Sequence, residues 1–188
     1  GGKQNQQHEP ARPVYDAKLE VDTSKSVEES DGLTLTALES CQINSSGLLD
    51  MRFSRGAGTP ALRVQIKDFS ADKSKYTCRQ ASDNTERNSV GLSKFNGCAV
   101  DVWTNAPEGN GTLNKYTMYR EDPAMFDFVY GGNCTITTTY DEPEIRGKIT
   151  CRDMIQVERE GLARVPIDPS DTISIVSPTK FFCDIVGP

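Results

Sequence analysis

The stretch Cys134-Thr135-Ile136-Thr137-Thr138-Thr139-Tyr140, Asp141-Glu142-Pro143-Glu144, Ile145-Arg146-Gly147-Lys148-Ile149-Thr150-Cys151 decides the fold. Two runs rich in β-branched residues flank a short polar turn containing proline, which is a hairpin signature. With the turn placed symmetrically, Tyr140 faces Ile145, Ile136 faces Ile149 and Cys134 faces Cys151. The opposite face carries Thr135, Thr137 and Thr139 against Thr150, Lys148 and Arg146. One face is apolar and the other polar, as a half-buried antiparallel pair requires. Directly opposed residues lie about 4.5–5.5 Å apart at Cα, within reach of a disulfide. A one-residue slip would ruin both the facing pattern and the sulfur pairing. The spacing therefore predicts an antiparallel pair bridged by Cys134–Cys151.

Working outward, the remaining cysteines are Cys41, Cys78, Cys98 and Cys183. An even, dispersed set with no Cys-x-x-Cys suits disulfides better than zinc. The single histidine, His8, lies in a polar leader, so mixed Cys/His zinc sites have no ligands to draw on. Cys78 with Cys98 would join neighbouring strands across the polar loop 81–89, which leaves Cys41 with Cys183. Other connectivities stay open at this point, because six cysteines admit many. Three disulfides imply an oxidising compartment: periplasm, cell surface or exterior.

Period-two alternation recurs along the chain and predicts strands. Leu33, Leu35 and Ala37 alternate with threonines; Leu49, Met51 and Phe53 with Asp50 and Arg52. Leu62, Val64 and Ile66 alternate with Arg63, Gln65 and Lys67, and Cys98, Val100 and Val102 with Ala99, Asp101 and Trp103. Tyr76 and Cys78 mark another strand, Phe126, Phe128 and Tyr130 precede the hairpin, and Ile173, Ile175, Phe182 and Ile185 belong to the last strands. Turn signals separate these runs at Gly56–Pro60, Asn105-Ala106-Pro107, Gly109-Asn110-Gly111, Gly131-Gly132-Asn133 and Ser177-Pro178. The segment 153–160 reads either as a short helix capped by Asp153 or as a continuation of the strand. The expected fold is all-β, an antiparallel β-sandwich or flattened barrel stapled by three disulfides. Residues 1–31 read as a polar leader or tether, with a short strand at 17–21, and residues 32–188 as a single β domain. The Gly1-Gly2 start fits the residues after the lipidated cysteine of a bacterial lipoprotein, and equally a tag remnant.

Composition narrows function. The formal net charge is −6 with 26% charged residues, which disfavours non-specific nucleic-acid binding and electrostatic docking on anionic lipid. Ser-His-Asp, Cys-His and histidine-based metal catalysis need a histidine within the fold, and His8 is on the leader. Acidic turns such as Asp141-Glu142-Pro143-Glu144 and Asp168-Pro169-Ser170-Asp171 lack EF-hand spacing and read as solvated turns. No phosphate-loop pattern occurs. The expectation is a protein without catalytic residues, cofactor or metal. Trp103, Tyr116, Tyr119, Phe126 and Tyr130 are the candidate aromatic surface for a sugar or peptide, although aromatics in a sandwich more often fill the core.

Leu62-Arg63-Val64-Gln65-Ile66-Lys67-Asp68-Phe69, Lys75-Tyr76-Thr77, the Cys134-Thr135-Ile136-Thr137 strand and the Ile145-to-Cys151 return resemble small β-sandwich lipoproteins of the bacterial cell envelope. The resemblance covers residues 33–155. It implies a lipid-anchored, non-enzymatic envelope domain that meets a protein or glycan partner by surface recognition, with membrane contact only through an N-terminal lipid anchor. The alternative is a secreted module holding a small molecule, lipid or glycan between its sheets.

Overall fold

The computed structural model describes residues 15–19, 22–23, 33–55, 60–80, 95–104, 114–118, 132–160 and 163–187. They form strands β1 (Tyr15–Leu19), β2 (Asp22–Thr23), β3 (Leu33–Leu35), β4 (Ala37–Ile43), β5 (Leu49–Ser54), β6 (Ala61–Ile66) and β7 (Lys75–Gln80). There follow β8 (Phe95–Asn96), β9 (Cys98–Thr104), β10 (Asn114–Thr117), β11 (Asn133–Asp141), β12 (Glu144–Glu160) and β13 (Ala163–Asp184). No helix occurs among the described residues, and all strand pairings between these elements are antiparallel.

The hairpin anchors the first sheet. β11 and β12 pair in the register the sequence dictates: Cys134 with Cys151, Ile136 with Ile149, Tyr140 with Ile145. β7 adds to the far side of β11, and β13 to the far side of β12, followed by β1 and β3. The second sheet runs β10-β9-β6-β5-β4. Long strand β12 links the two, since residues 155–157 pair with β10.

The two sheets pack face to face as a sandwich. Leu49, Met51, Phe53, Leu62, Val64, Ile66, Val100 and Val102 point inward from the second sheet, and Tyr76, Ile136, Ile145, Ile149 and Phe181 from the first; all are buried. Burying each such side chain stabilises by roughly 1.5–3 kcal/mol before ordering costs. The Phe53 and Phe181 rings meet across the core at 5.9 Å. Gly147 makes room for this packing: a Cβ there would sit 2.3 Å from the Phe181 ring.

Disulfides join Cys134–Cys151, Cys78–Cys98 and Cys41–Cys183. The first lies within one sheet. Cys78 and Cys98 do not occupy adjacent strands of one sheet; they clamp β7 of the first sheet to β9 of the second. Cys41–Cys183 likewise ties β4 to β13 across the sandwich. Gly97 permits the close approach beside Cys98. Its φ is +74°, and a Cβ would lie 2.5 Å from the Thr77 carbonyl oxygen.

Several details differ from the sequence expectation. Of the two readings open for residues 153–160, the strand is the one that forms: they continue β12. Asp153 takes φ 52° at a bulge where β12 and β13 change register, and its N–H donates to Ser174 Oγ instead of its side chain capping a helix. The segment read as a tether contributes β1 and β2, so the sheet begins before residue 32; the strand expected at 17–21 starts two residues earlier. Ser177-Pro178 is not a turn between strands but part of a bulge. Ile149 pairs with Thr179 and Cys151 with Ile175, so β13 carries extra residues there. Proline has no N–H to offer the ladder, which suits it to such a break. In the last strand the buried aromatic is Phe181, while Phe182 faces outward. Phe126, Phe128 and Tyr130 lie outside the described residues.

The chain end crosses between sheets. After β13, the Ile185 N–H donates to the Pro143 carbonyl. The Val186 N–H donates to the Cys41 carbonyl, and the Val186 carbonyl accepts from Ile43, an isolated parallel bridge along β4.

Candidate functional site

Period two places alternate residues of each strand on the outside of the sandwich. On the second sheet those outward residues neutralise one another. Arg63 on β6 grips Asp50 on β5 with both ends of its guanidinium, Nε to Oδ1 at 3.0 Å and Nη2 to Oδ2 at 2.8 Å. Arg52 on β5 pairs with Glu39 on β4 and lies 4.4 Å from the centre of the Trp103 ring. Asp101 and Thr117, directly opposed on β9 and β10, are buried.

The outer face of the first sheet is built differently. One register row runs Lys75 (β7), Thr137 (β11), Lys148 (β12), Lys180 (β13), and continues in register to Lys18 of β1. The row on one side reads Thr77, Thr135, Thr150, and beyond it Asn133 faces Arg152, while Arg79 of β7 faces Asn96 of β8. On the other side stand Thr139, Arg146 and Phe182. Cations, threonines, Asn133 and Phe182 fill these rows across β7, β11, β12 and β13, and carboxylates border them: Asp16 of β1 stands opposite Phe182, and the next row reads Asp141, Glu144, Asp184, with Glu144 pairing with Arg146. Lys148 and Lys180 are exposed and directly opposed, and neither makes a hydrogen bond or ion pair among the described residues. Adjacent strands are about 4.8 Å apart, so such like charges repel and the pair is destabilising.

Two concavities open on this same face. The larger, about 480 Å³, is lined by Thr137, Thr139, Arg146, Lys148, Lys180 and Phe182 over the backbone of Gly147. The Arg146 guanidinium sits 4.6 Å from the Phe182 ring centre, forming one wall. The smaller, about 260 Å³, is lined by Asn133, Thr135, Thr150, Arg152 and Val176. The bulge at Val176, Ser177 and Pro178 stands between them, with Val176 among the exposed large apolar residues.

Of the aromatic surface expected from sequence, the described residues include Trp103 and Tyr116, and these two do not share a face. Tyr116 lies opposite Val102 and is buried with it, while Trp103, one residue along β9, points outward. Alternation puts them on opposite faces. Tyr119, Phe126 and Tyr130 lie outside the described residues. A second aromatic group, Phe69 with Tyr76 at 6.4 Å and with Tyr140 at 5.5 Å, closes one end of the sandwich. Burial pushes the Tyr76 phenol above its ordinary pKa, partly offset by a hydrogen bond with the Ser70 backbone. Tyr140 is also raised, by burial and then by Glu142. Both are structural hydroxyls. Among the described residues, no group of three or more His, Cys, Asp or Glu converges as a metal cage.

Sequence reading placed Thr135, Thr137, Thr139, Arg146, Lys148 and Thr150 on one polar face but did not see it as a site. The missing members are Lys75 and Lys180, which reach the row only through tertiary pairing. Their signal was the repeated cation-x-(Thr or Phe) alternation: Lys75-Tyr76-Thr77, Lys148-Ile149-Thr150, Lys180-Phe181-Phe182.

Fold and site together define a disulfide-stapled all-β sandwich with one self-neutralised face and one basic, grooved face. Comparison with protein families, with curated proteins and with solved structures finds no match for this chain.

Proposed function

We propose that this is a non-enzymatic extracytoplasmic domain that acts by surface recognition, and that the outer face of its first sheet is the recognition surface. The observation that carries the reading is the opposed pair Lys148 and Lys180 over a groove, kept at a cost in stability that packing alone does not call for. Three disulfides support an oxidising location. The resemblance to small envelope lipoproteins supports a bacterial surface or periplasmic position with a lipid anchor ahead of the domain.

Retention on a cation exchanger tests the surface. At neutral pH a chain of net charge −6 with evenly spread charge passes through such a resin. This domain is expected to be retained at low ionic strength and Lys148→Glu/Lys180→Glu to pass through; flow-through of the unaltered protein removes the basic face from consideration. Thiol titration of the unfolded, never-reduced native protein tests the location, with no free thiol expected. The second reading, a ligand held between the sheets, has less support, because both concavities open on the outside and Phe53, Phe181 and their neighbours fill the interior.

A further inference from the structure

We infer that the groove across β11, β12 and β13 binds a linear acidic polysaccharide, a sugar chain bearing carboxylate or sulfate groups. This rests on the basic face being the recognition surface, and it adds the chemistry of the ligand. The groove's volume, about 480 Å³, falls within the range of ligand clefts, about 300–1,000 Å³.

Its lining combines three kinds of contact. Lys148 and Lys180 offer ammonium groups with no partner among the described residues. Thr137 and Thr139 offer hydroxyls, which both donate and accept and so match a ligand rich in hydroxyls rather than a bare anion. Phe182 offers one apolar ring, backed by Arg146, against which the face of a sugar can lie. The row Lys75, Thr137, Lys148, Lys180 crosses the strands, so positive charge recurs at multiples of about 4.8 Å along the groove. A chain with a regularly repeated anionic group lies along that row.

Other polyanions fit less well. Single-stranded nucleic acid is held by a series of aromatic rings that stack successive bases, whereas among the described residues lining this groove Phe181 is buried in the core and Phe182 is the ring on the outer face. An anionic bilayer meets a protein through an apolar face flanked by cations, whereas the lysines here line a concavity.

Calorimetric titration of the disulfide-intact protein at low ionic strength tests the assignment. The probes are polygalacturonate, its neutral methyl ester, dextran sulfate, vesicles containing phosphatidylglycerol, and single-stranded DNA. Binding to polygalacturonate or dextran sulfate is expected, weakening as salt is raised and absent for the methyl ester. Lys148→Glu/Lys180→Glu should weaken it about tenfold or more. Arg55→Glu, the same charge reversal as either single lysine change but at an exposed position just after β5, should leave it unaltered. Phe182→Ala should weaken the polysaccharide several-fold. Thermal melts of each variant, together with the neutral pair Lys148→Gln/Lys180→Gln, separate lost charge from lost fold.

Equal affinity for the methyl ester, or indifference to the lysine changes, overturns the inference. Vesicles or DNA bound through the same lysines, with the polysaccharides ignored, overturn the ligand class and leave the surface standing. No binding to any anionic probe overturns both.

Discussion

The two outer faces of this sandwich solve the same problem in opposite ways. Both must present charge to water on flat antiparallel strands. The second sheet sets like charges opposite each other, Arg52 against Arg63, but gives each a carboxylate partner, Asp50 for Arg63 and Glu39 for Arg52. The first places Lys148 beside Lys180 and lines the flanking rows with threonine, arginine and asparagine. The first arrangement is what stability favours, because opposed unlike charges contribute about 0.2–1 kcal/mol and like charges cost a similar amount. The second is what an external anion favours. The contrast teaches that net charge is a poor guide to partners: a chain at −6 carries a face whose central row holds lysines and a threonine and no carboxylate.

The coarsest way to break the comparison is to let the faces separate. Removing the clamp with Cys41→Ala/Cys183→Ala should lower stability by about 4–5 kcal/mol, since the bridge closes a loop spanning 142 residues. Denaturant titration reads this directly, and a loss below about 1 kcal/mol would mean that packing and the remaining Cys78–Cys98 bridge suffice to hold the sheets together. Gly147→Val acts from beneath the basic face. The added side chain displaces the Phe181 ring, and overpacking of this kind costs about 1–3 kcal/mol in thermal or denaturant melts.

Between the faces, Tyr76 points into the core from β7, and its hydroxyl lies 3.2 Å from the Ser70 N–H and from the carbonyls of Ser70 and Lys73. Tyr76→Phe should cost about 0.5–1.5 kcal/mol near neutral pH. Because burial raises the phenol's pKa in the folded state, its contribution is complete below the unfolded value of about 10 and is lost as pH rises through the higher folded value. Tyr76→Phe should therefore flatten the alkaline loss of stability; an unchanged alkaline limb would count against it.

The smallest effect sharpens the comparison most, because it predicts a sign. Lys180→Glu should stabilise the protein by about 0.2–1 kcal/mol by creating an opposed pair with Lys148. Asp50→Lys on the other face should destabilise it by a similar amount by setting a like charge against Arg63. If both changes destabilise, the lysine row is supported by contacts of its own and the distinction between the faces weakens.

The antiparallel hairpin, its register and the inward residues of β5, β6 and β9 were legible in sequence because each is a local period-two pattern. Register of one strand is set by its own alternation, but the neighbours of a strand are not. Sequence therefore found Lys148 and Arg146 and put them on the polar face, yet could not bring Lys75 from β7 and Lys180 from β13 alongside. The same limit applies to Cys78 and Cys98: spacing predicts that they pair across the loop between them, as they do, but not that the bridge reaches from β7 to the start of a strand in the second sheet. Trp103 and Tyr116, the described members of the expected aromatic surface, part for a simpler reason: Trp103 and the Val102 partner Tyr116 differ by one step of alternation. Asp153 was ambiguous because an aspartate before a mixed segment serves equally well as a cap or at a bulge, and tertiary pairing with β13 decided it.

The span from Cys41 to Cys183 has a mechanical consequence. Tension applied between the two ends of the chain enters at β4, passes through two sulfur atoms and leaves from β13. The 142-residue interval, with both other disulfides inside it, is bypassed. Pulled on a surface, the oxidised domain should lengthen only by what lies outside that covalent ring, and the ligand-facing strands should carry almost none of the load. Adding a reductant during single-molecule stretching should release the hidden length.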